Sequence, residues 1–358
     1  MNKINEKRQQ IDVIDEQIQS LLNERAKLAQ LVGDNKKEIA QNTSCYVPER
    51  EAEVLRAIAL RNTGPLSDET LQKIYQQIMA ACRDLEKNLN VAFLGPLGTF
   101  SHQATLKCFG DAIQLLPLAS IKEVLNAVSQ GNADFCIVPI ENSYEGIVTT
   151  TLDQLDQSEL SVCNEILLPV HHYLLSSSTD ASEITQIYSH PQALAQCQLW
   201  LEKNFPHAAL FPAKSSAQAC MLAANEVSTA AIAGEFSLSK YNLNVIAKYI
   251  EDESDNTTRF YVMGKQLTKP SGQDKTSILM TIPHKSGALV EVLDKFAANG
   301  INLTLLQSRP CKKQAWEYIF FLEMEGHQAE ASIQKALHGL NNDQGLFKIL
   351  GSFPRASL

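Results

Sequence analysis

No apolar run in this chain approaches membrane-spanning length, and the polar opening MNKINEKRQQ has no apolar signal core. Both absences point to a cytoplasmic protein that is neither exported nor inserted in a bilayer. There is no CxxC pair. The eight cysteines (Cys45, Cys82, Cys108, Cys136, Cys163, Cys197, Cys220, Cys311) lie far apart, which leaves no disulfide frame and no zinc site and suits reduced, mostly buried thiols. A basic excess is missing too. The formal net charge of −9 argues against nucleic acid or membrane as the main partner, so any site for an anionic ligand must be built from locally clustered Arg and Lys. Internal repeats and low-complexity tracts are absent. So is the GxGxxG dinucleotide fingerprint, because no glycine follows Gly98 until Gly110; this counts against a dehydrogenase, and no cofactor or metal is expected.

What remains is a globular composition, 44% hydrophobic and 20% charged, without a disordered signature. The length of 358 residues exceeds one ordinary core and calls for two or three domains. Residues 1–90 carry helical patterns and almost no strand signal. Residues 91–265 alternate short β-branched runs with helical stretches, the mark of an α/β domain. Residues 266–275 are polar and rich in Gly, Lys and Pro, as in a linker. Residues 276–358 form one more small unit.

The first segment is a strong amphipathic helix. A heptad line runs Ile4, Ile11, Ile18, Arg25, Val32, beside a second of Ile14, Leu21 and Leu28. A third line, Arg8, Asp15, Leu22, Ala29, Lys36, shares its side. Three cations thus face with the core, and buried cations need anionic partners, from the protein or from a ligand. On the helix pattern alone, Arg8 and Lys36 snorkelling at the rim with Arg25 paired to a Glu fits as well. A second helix starts at Pro48 with Val54, Leu55 and Ile58 inward. A third starts near Ser67–Asp68 and is expected to bury Leu71, Ile74, Tyr75, Ile78, Cys82, Leu85 and Leu89. Helices so unequal cannot close a core alone, and an intertwined dimer is expected.

The runs ERAKLAQLVGDNK, REAEVL and IYQQIMAACRDLE resemble the all-helical chorismate mutase family over its whole length. The resemblance implies that Arg8, Arg25, Lys36 and Arg50 bind the two substrate carboxylates, Arg8 from across the dimer, and that Glu51 holds the ring hydroxyl. It puts Lys36 and Glu86 beside the ether oxygen and Cys82 in a pocket position where Ser is frequent. Val47 departs from an Asp found in some members. A Claisen rearrangement needs no nucleophile, acid or base; it needs a held conformation and donors at the ether oxygen. Glu86 can donate there only when protonated, so mutase activity is expected to fall as pH rises.

In the middle domain four strand ends open into polar residues: VAFLGPLGTFSHQA (91–104), PIENSYEGIV, IYSHPQALAQC (187–197) and DNTTRFYVMG (255–264). Polar residues after strands are mostly helix caps, and His190 and the His171–His172 pair read as structural. Four such clusters in one α/β domain nevertheless suit a ligand at the carboxyl ends of strands. These segments look like the prephenate dehydratase family. The resemblance implies two α/β lobes around a cleft, as in bacterial solute-binding proteins, with lobe crossings near residues 168 and 240. It implies Thr258 at the departing hydroxyl, with Arg259, Asn142, Ser143, Ser189 and Gln196 binding substrate and Glu141 orienting the strand-end loop. Aromatisation drives the loss of CO2 and hydroxide, so the enzyme need only assist hydroxide departure and desolvate the carboxylate.

The last segment reads βαββαβ, a ferredoxin-like order, without a catalytic-looking cluster. Gly287-Ala288-Leu289-Val290 and Gln307-Ser308-Arg309-Pro310 resemble the ACT-type regulatory domain of dehydratases. The resemblance implies phenylalanine as an effector bound by these eight residues between paired subunits; Gln307 stands where Glu is usual and removes a charge. Together the resemblances imply a multidomain enzyme taking chorismate to prephenate and prephenate to phenylpyruvate. An arogenate-using dehydratase and a non-catalytic amino-acid-sensing protein remain open at this point.

Overall fold

The computed structural model describes residues 2–39, 44–253, 255–311, 318–340 and 346–356. Its contacts divide the chain into two units, Met1–Leu89 with Phe109–Gln114, and Asn90–Cys108 with Leu115–Leu358. Among the described residues no helix is long and apolar enough to cross a membrane.

The first unit holds three helices, α1 (Asn2–Ile39), α2 (Pro48–Arg61) and α3 (Asp68–Asp84). Pro48 opens α2 with Glu49 and Glu51 in its first turn, where a fixed φ and negative charge both suit a helix start. Ser67 caps α3 by accepting from the Thr70 N–H at 3.2 Å. The core contains Tyr46, Ile58, Met79, Ala80, Cys82, Leu89 and Phe109. Ile74 and Leu85, expected inside, are exposed, as are Ile4, Ile11, Ile14, Ile18, Leu21, Leu28 and Val32 along α1. Among the described residues the apolar lines of α1 are thus left exposed.

The second unit begins with β1 (Asn90–Leu94), α4 (Phe100–Phe109), β2 (Gln114–Leu118), α5 (Ile121–Ser129), β3 (Phe135–Asn142), β4 (Gly146–Ile147), α6 (Thr149–Leu155) and β5 (Ser161–Pro169). A second group follows: β6 (Tyr173–Ser176), β7 (Gln186–Ser189), α7 (Pro191–Gln196), α8 (Gln198–Asn204), β8 (Ala209–Pro212), α9 (Ser216–Asn225), β9 (Thr229–Ala233), α10 (Ser237–Tyr241) and β10 (Asn244–Lys248). The chain then returns through β11 (Thr257–Gly264) to the first sheet, ordered β2-β1-β3-β11-β5, while the second sheet runs β10-β6-β9-β7-β8. The outward crossing lies between Pro169 and Tyr173, close to the expected place. The return falls between Lys248 and Thr257 rather than near residue 240, because β10 still pairs with β6.

The C-terminal part comprises β12 (Asp274–Thr281), α11 (Ala288–Ala298), β13 (Leu303–Pro310), β14 (Tyr318–Glu325), α12 (Ala331–His338) and β15 (Phe347–Pro354). Its antiparallel sheet runs β13-β14-β12-β15, the ferredoxin-like order. Trp316 and Glu317, expected to open β14, lie outside the described residues. The stretch 266–275, expected as a linker, is docked: Thr268 and Ser271 are buried, and the Ser271 N–H donates to Asp274 at 2.8 Å. Leu279, Phe321, Leu350 and Phe353 share one apolar cluster with Val138, Ile140, Tyr261 and Met263 of the first sheet. Close approach is secured at Gly351, where a Cβ would run into the backbone of Val162.

Candidate active sites

In the helical unit, α1, α2 and α3 enclose a cavity of about 530 Å³ lined by Arg25, Lys36, Cys45, Val47, Arg50, Glu51, Cys82, Arg83 and Glu86 among others. Eight of these nine are charged or thiol-bearing, Val47 being the exception. Arg25 Nη1 donates to Cys82 Sγ at 2.8 Å. Lys36 Nζ stands 3.8 Å from Glu86 Oε2. Glu86 lies against Gly33, where a Cβ would come 2.8 Å from Glu86 Cγ. Arg50 is exposed and pairs with Glu53 at 3.0 Å. Arg8 is exposed near the start of α1 and does not line the cavity of its own chain. Arg83, unremarked in the sequence, is 3% exposed and paired with Glu51.

In the second unit a cleft of about 480 Å³ lies between residues of the first two sheets. Its chemistry is different. The one permanent cation among the described lining residues is Lys214. Anion-holding capacity comes instead from the starts of α4 and α9, whose Thr99–Ser101 and Ser215–Ser216 face the cleft, since the first N–H groups of a helix have no internal partner. Gly98 has φ +93°, a backbone shape that favours glycine at this turn.

A ladder of neutral amides crosses the cleft. Asn142 Nδ2 donates to Thr258 Oγ1 at 3.0 Å and to Asn256 Oδ1 at 2.7 Å. Asn256 Nδ2 donates to Gln196 Oε1 at 3.1 Å, and the same oxygen takes a bond from His172 Nε2 at 2.8 Å. Burial pushes the His172 pKa down, which favours the neutral imidazole, and facing Gln196 Oε1 its Nε2 serves as the donor. Thr258 accepts in this ladder and keeps its O–H for donation. Gln196 Nε2 is buried with no protein partner among the described residues, a donor left for a ligand. His172, read from the sequence as packing, belongs to this wall, as do Lys214, Ser215 and Asn256, none of which stood out in the sequence.

Several expected substrate contacts lie elsewhere. Strand alternation puts Thr258 and Phe260 on the cleft side of β11 and Arg259 on the other. Arg259 is caught there by Glu141 and Glu165 at 3.1 Å and Glu323 at 2.6 Å, with Tyr261 donating to Glu323. Burial works against its charge, but the Tyr261 oxygen, Glu323 and Glu165 outweigh it and hold the pKa above its usual value. Lys275 adds a second cation, 3.0 Å from Glu165. Removing Arg259 would strand buried carboxylates at a cost of about 3–5 kcal/mol. Ser189 is fully buried and donates to the Ile232 carbonyl at 2.7 Å. Ser143 bonds the Asp255 carbonyl at 3.3 Å and the Thr257 N–H at 3.0 Å, pinning the start of β11. Arg259, Glu141, Ser189 and Ser143 are therefore absent from the cleft wall. Asn142, Gln196 and Thr258 are on it.

In the C-terminal sheet, Gly287 (φ +82°) precedes α11, Val290 and Leu306 are exposed, and Gln307 donates to the Ser308 carbonyl at 3.2 Å. Arg309 pairs with Asp153 of α6 at 3.3 Å.

The family described as chorismate mutase type II matches residues 7–87, and that described as prephenate dehydratase matches residues 91–268. A bifunctional chorismate mutase/prephenate dehydratase of Aquifex aeolicus is 43% identical over all of this chain and 99% of its own length. A protein of the same description from Pseudomonas aeruginosa is 41% identical, covering 98% and 97%. Among solved structures, the prephenate dehydratase of Arthrobacter aurescens in complex with L-Phe is similar at 35% identity and a TM-score of 0.69, covering 75% of this chain and 90% of that one. With a charged cavity in the helical unit and a cleft lined mostly by uncharged polar groups in the α/β unit, the chain belongs to the bifunctional chorismate mutase/prephenate dehydratase family, rearranging chorismate to prephenate and converting prephenate to phenylpyruvate.

Proposed function

We propose that the helical cavity binds chorismate through Arg25, Lys36 and Arg50, with Arg8 of a second copy of the chain completing the site. Glu51 accepts from the ring hydroxyl, Cys82 fills the pocket wall, and Lys36 and Glu86 address the ether oxygen where negative charge develops. The exposed apolar lines of α1 support a homodimer in which that helix is shared, since so long an exposed apolar stripe is otherwise costly in water. The division is 1–90 for mutase, 91–265 for dehydratase and 276–358 for a regulatory domain of ACT type. The enzyme works in the cytoplasm.

In the cleft, Thr258 donates to the departing C4 oxygen while Asn142 holds it in place. The observation that carries this is the ladder: Asn142 spends both N–H bonds on Asn256 and Thr258, leaving the Thr258 proton to point at substrate. Gln196 binds substrate directly. Arg259, Glu141, Ser143 and Ser189 act as the frame behind it. Thr258→Ala should cut prephenate turnover by about 10²-fold or more and leave the mutase rate alone. An unchanged dehydratase rate would remove Thr258 from the mechanism.

L-phenylalanine, present in the Arthrobacter structure, acts here as effector through Gly287–Val290 and Gln307–Pro310 of paired chains. The C-terminal sheet holds elements that frame the cleft, which supports this reading. Glu323 of β14 grips Arg259 next to Thr258. Arg309 grips Asp153, and Lys348 donates to the carbonyls of Leu155, Asp156 and Ser158 at the end of α6, whose Thr149 and Thr150 line the cleft. An effector that favours one setting of this sheet shifts the cleft with it.

A further inference from the structure

We propose that Arg83 is a positioning residue of the mutase site, holding the Glu51 carboxylate ionised and aimed at the substrate's ring hydroxyl. This rests on the reading of Glu51 as the hydroxyl's acceptor.

Arg83 follows Cys82 on α3 and is one of the most buried cations of the chain, 3% exposed. Its Nη1 donates to Glu51 Oε1, and its Nη2 donates to the Phe109 carbonyl at 3.2 Å. The guanidinium carbon lies 5.0 Å from the centre of the Tyr46 ring and 5.5 Å from that of Phe109, and the two rings are 4.9 Å apart. Phe109 lies in the stretch of sequence matched to prephenate dehydratase yet belongs to the helical unit. Two aromatic faces and a carbonyl thus fix a planar cation in one orientation. Lysine offers no such fork.

This construction suits Glu51. Burial pushes its pKa up, and Arg83, then Arg25, pull it back. Other titratable groups around the cavity are Lys36 on α1, Arg50 on α2, Cys82 and Glu86 on α3, and Cys45 before α2. Of these, Arg50 is turned to Glu53 and Lys36 to Glu86, so Arg83 is the cation bonded to Glu51. A carboxylate accepts strongly from a hydroxyl; a carboxylic acid accepts weakly and offers a proton instead. Without Arg83 the site would bind its substrate hydroxyl well only at higher pH.

The test is the pH dependence of mutase kcat/KM in the full-length protein, with prephenate turnover as a control for folding. Arg83→Gln keeps an N–H donor but removes the charge. Its acid limb should move up by about one pH unit, giving about a tenfold deficit on that limb that closes as pH rises, mainly through KM. Arg83→Lys should keep the limb near its wild-type position. Glu51→Gln should abolish the limb, and adding Arg83→Gln to it should cost little more. An unmoved limb in Arg83→Gln, or a uniform loss at every pH that adds fully to that of Glu51→Gln, would overturn the proposal and leave Arg83 a packing residue. A Glu51→Gln protein with wild-type mutase kinetics would instead remove the acceptor reading on which the proposal stands.

Discussion

The two sites handle related dianions in opposite ways. The cavity proposed for the mutase is lined by Arg25, Lys36, Arg50 and Arg83 together with Glu51 and Glu86, whereas the cleft proposed for the dehydratase presents helix starts, amides, one lysine and one glutamate, Glu145, among its described lining residues. The chemistry explains the contrast. A rearrangement keeps both carboxylates, so fixed cations can hold them throughout and still favour the transition state at the ether oxygen. A decarboxylating elimination must discharge one carboxylate, and a strong ion pair to that group would stabilise the ground state more than the transition state. The cation adjacent in sequence to Thr258 is consistent with this, being turned away and neutralised by Glu141, Glu165 and Glu323.

The comparison can be broken most readily at Lys36. Lys36→Met should lower the mutase rate by about 10²–10³-fold with prephenate turnover unchanged; a loss of both would mean the sites are not separable. Thr258→Ala is the mirror image, about 10²-fold on the dehydratase alone. Gly33→Ala probes placement rather than charge. Its Cβ would meet Glu86 Cγ, and displacing that carboxyl should cost the mutase about tenfold while leaving the fold and the dehydratase intact. The smallest effect is expected at Lys348→Met, which frees the end of α6. Basal dehydratase activity should change little, but inhibition by phenylalanine should weaken by about fivefold, measured as the shift in its half-inhibitory concentration.

The helical cavity was partly legible in the sequence because helix periodicity converts spacing into facing: Arg25 and Lys36 fall on one side of α1 by spacing alone, whereas Glu51, on α2, was reached only through the family resemblance. Arg83 escaped because it stands beside the expected stripe of α3 and not on it, and its partners, Tyr46 and Phe109, come from outside the helix. The cleft was legible as a set of strand ends and poorly legible as a list of side chains. Alternation along β11 separates Thr258 from Arg259, and nothing local says which of the two faces the ligand. Ser189 shows the same limit: at a strand end it can turn inward to a carbonyl as easily as outward. The linker expected at 266–275 failed for a related reason, since polar and Gly-rich composition cannot reveal that Asp274 collects the N–H groups of Ser271 and Gly272.

Separate sites of different electrostatic character make the most direct test a complementation assay. Lys36→Met and Thr258→Ala proteins would each be given chorismate alone, then mixed, with phenylpyruvate recorded. Neither variant by itself should form phenylpyruvate at more than a small fraction of the wild-type rate. The mixture should restore it, the Thr258→Ala protein supplying prephenate to the intact cleft of the other. A mixture no better than its components, with both variants folded and each retaining its other activity, would contradict the division of the two reactions between the helical cavity and the α/β cleft.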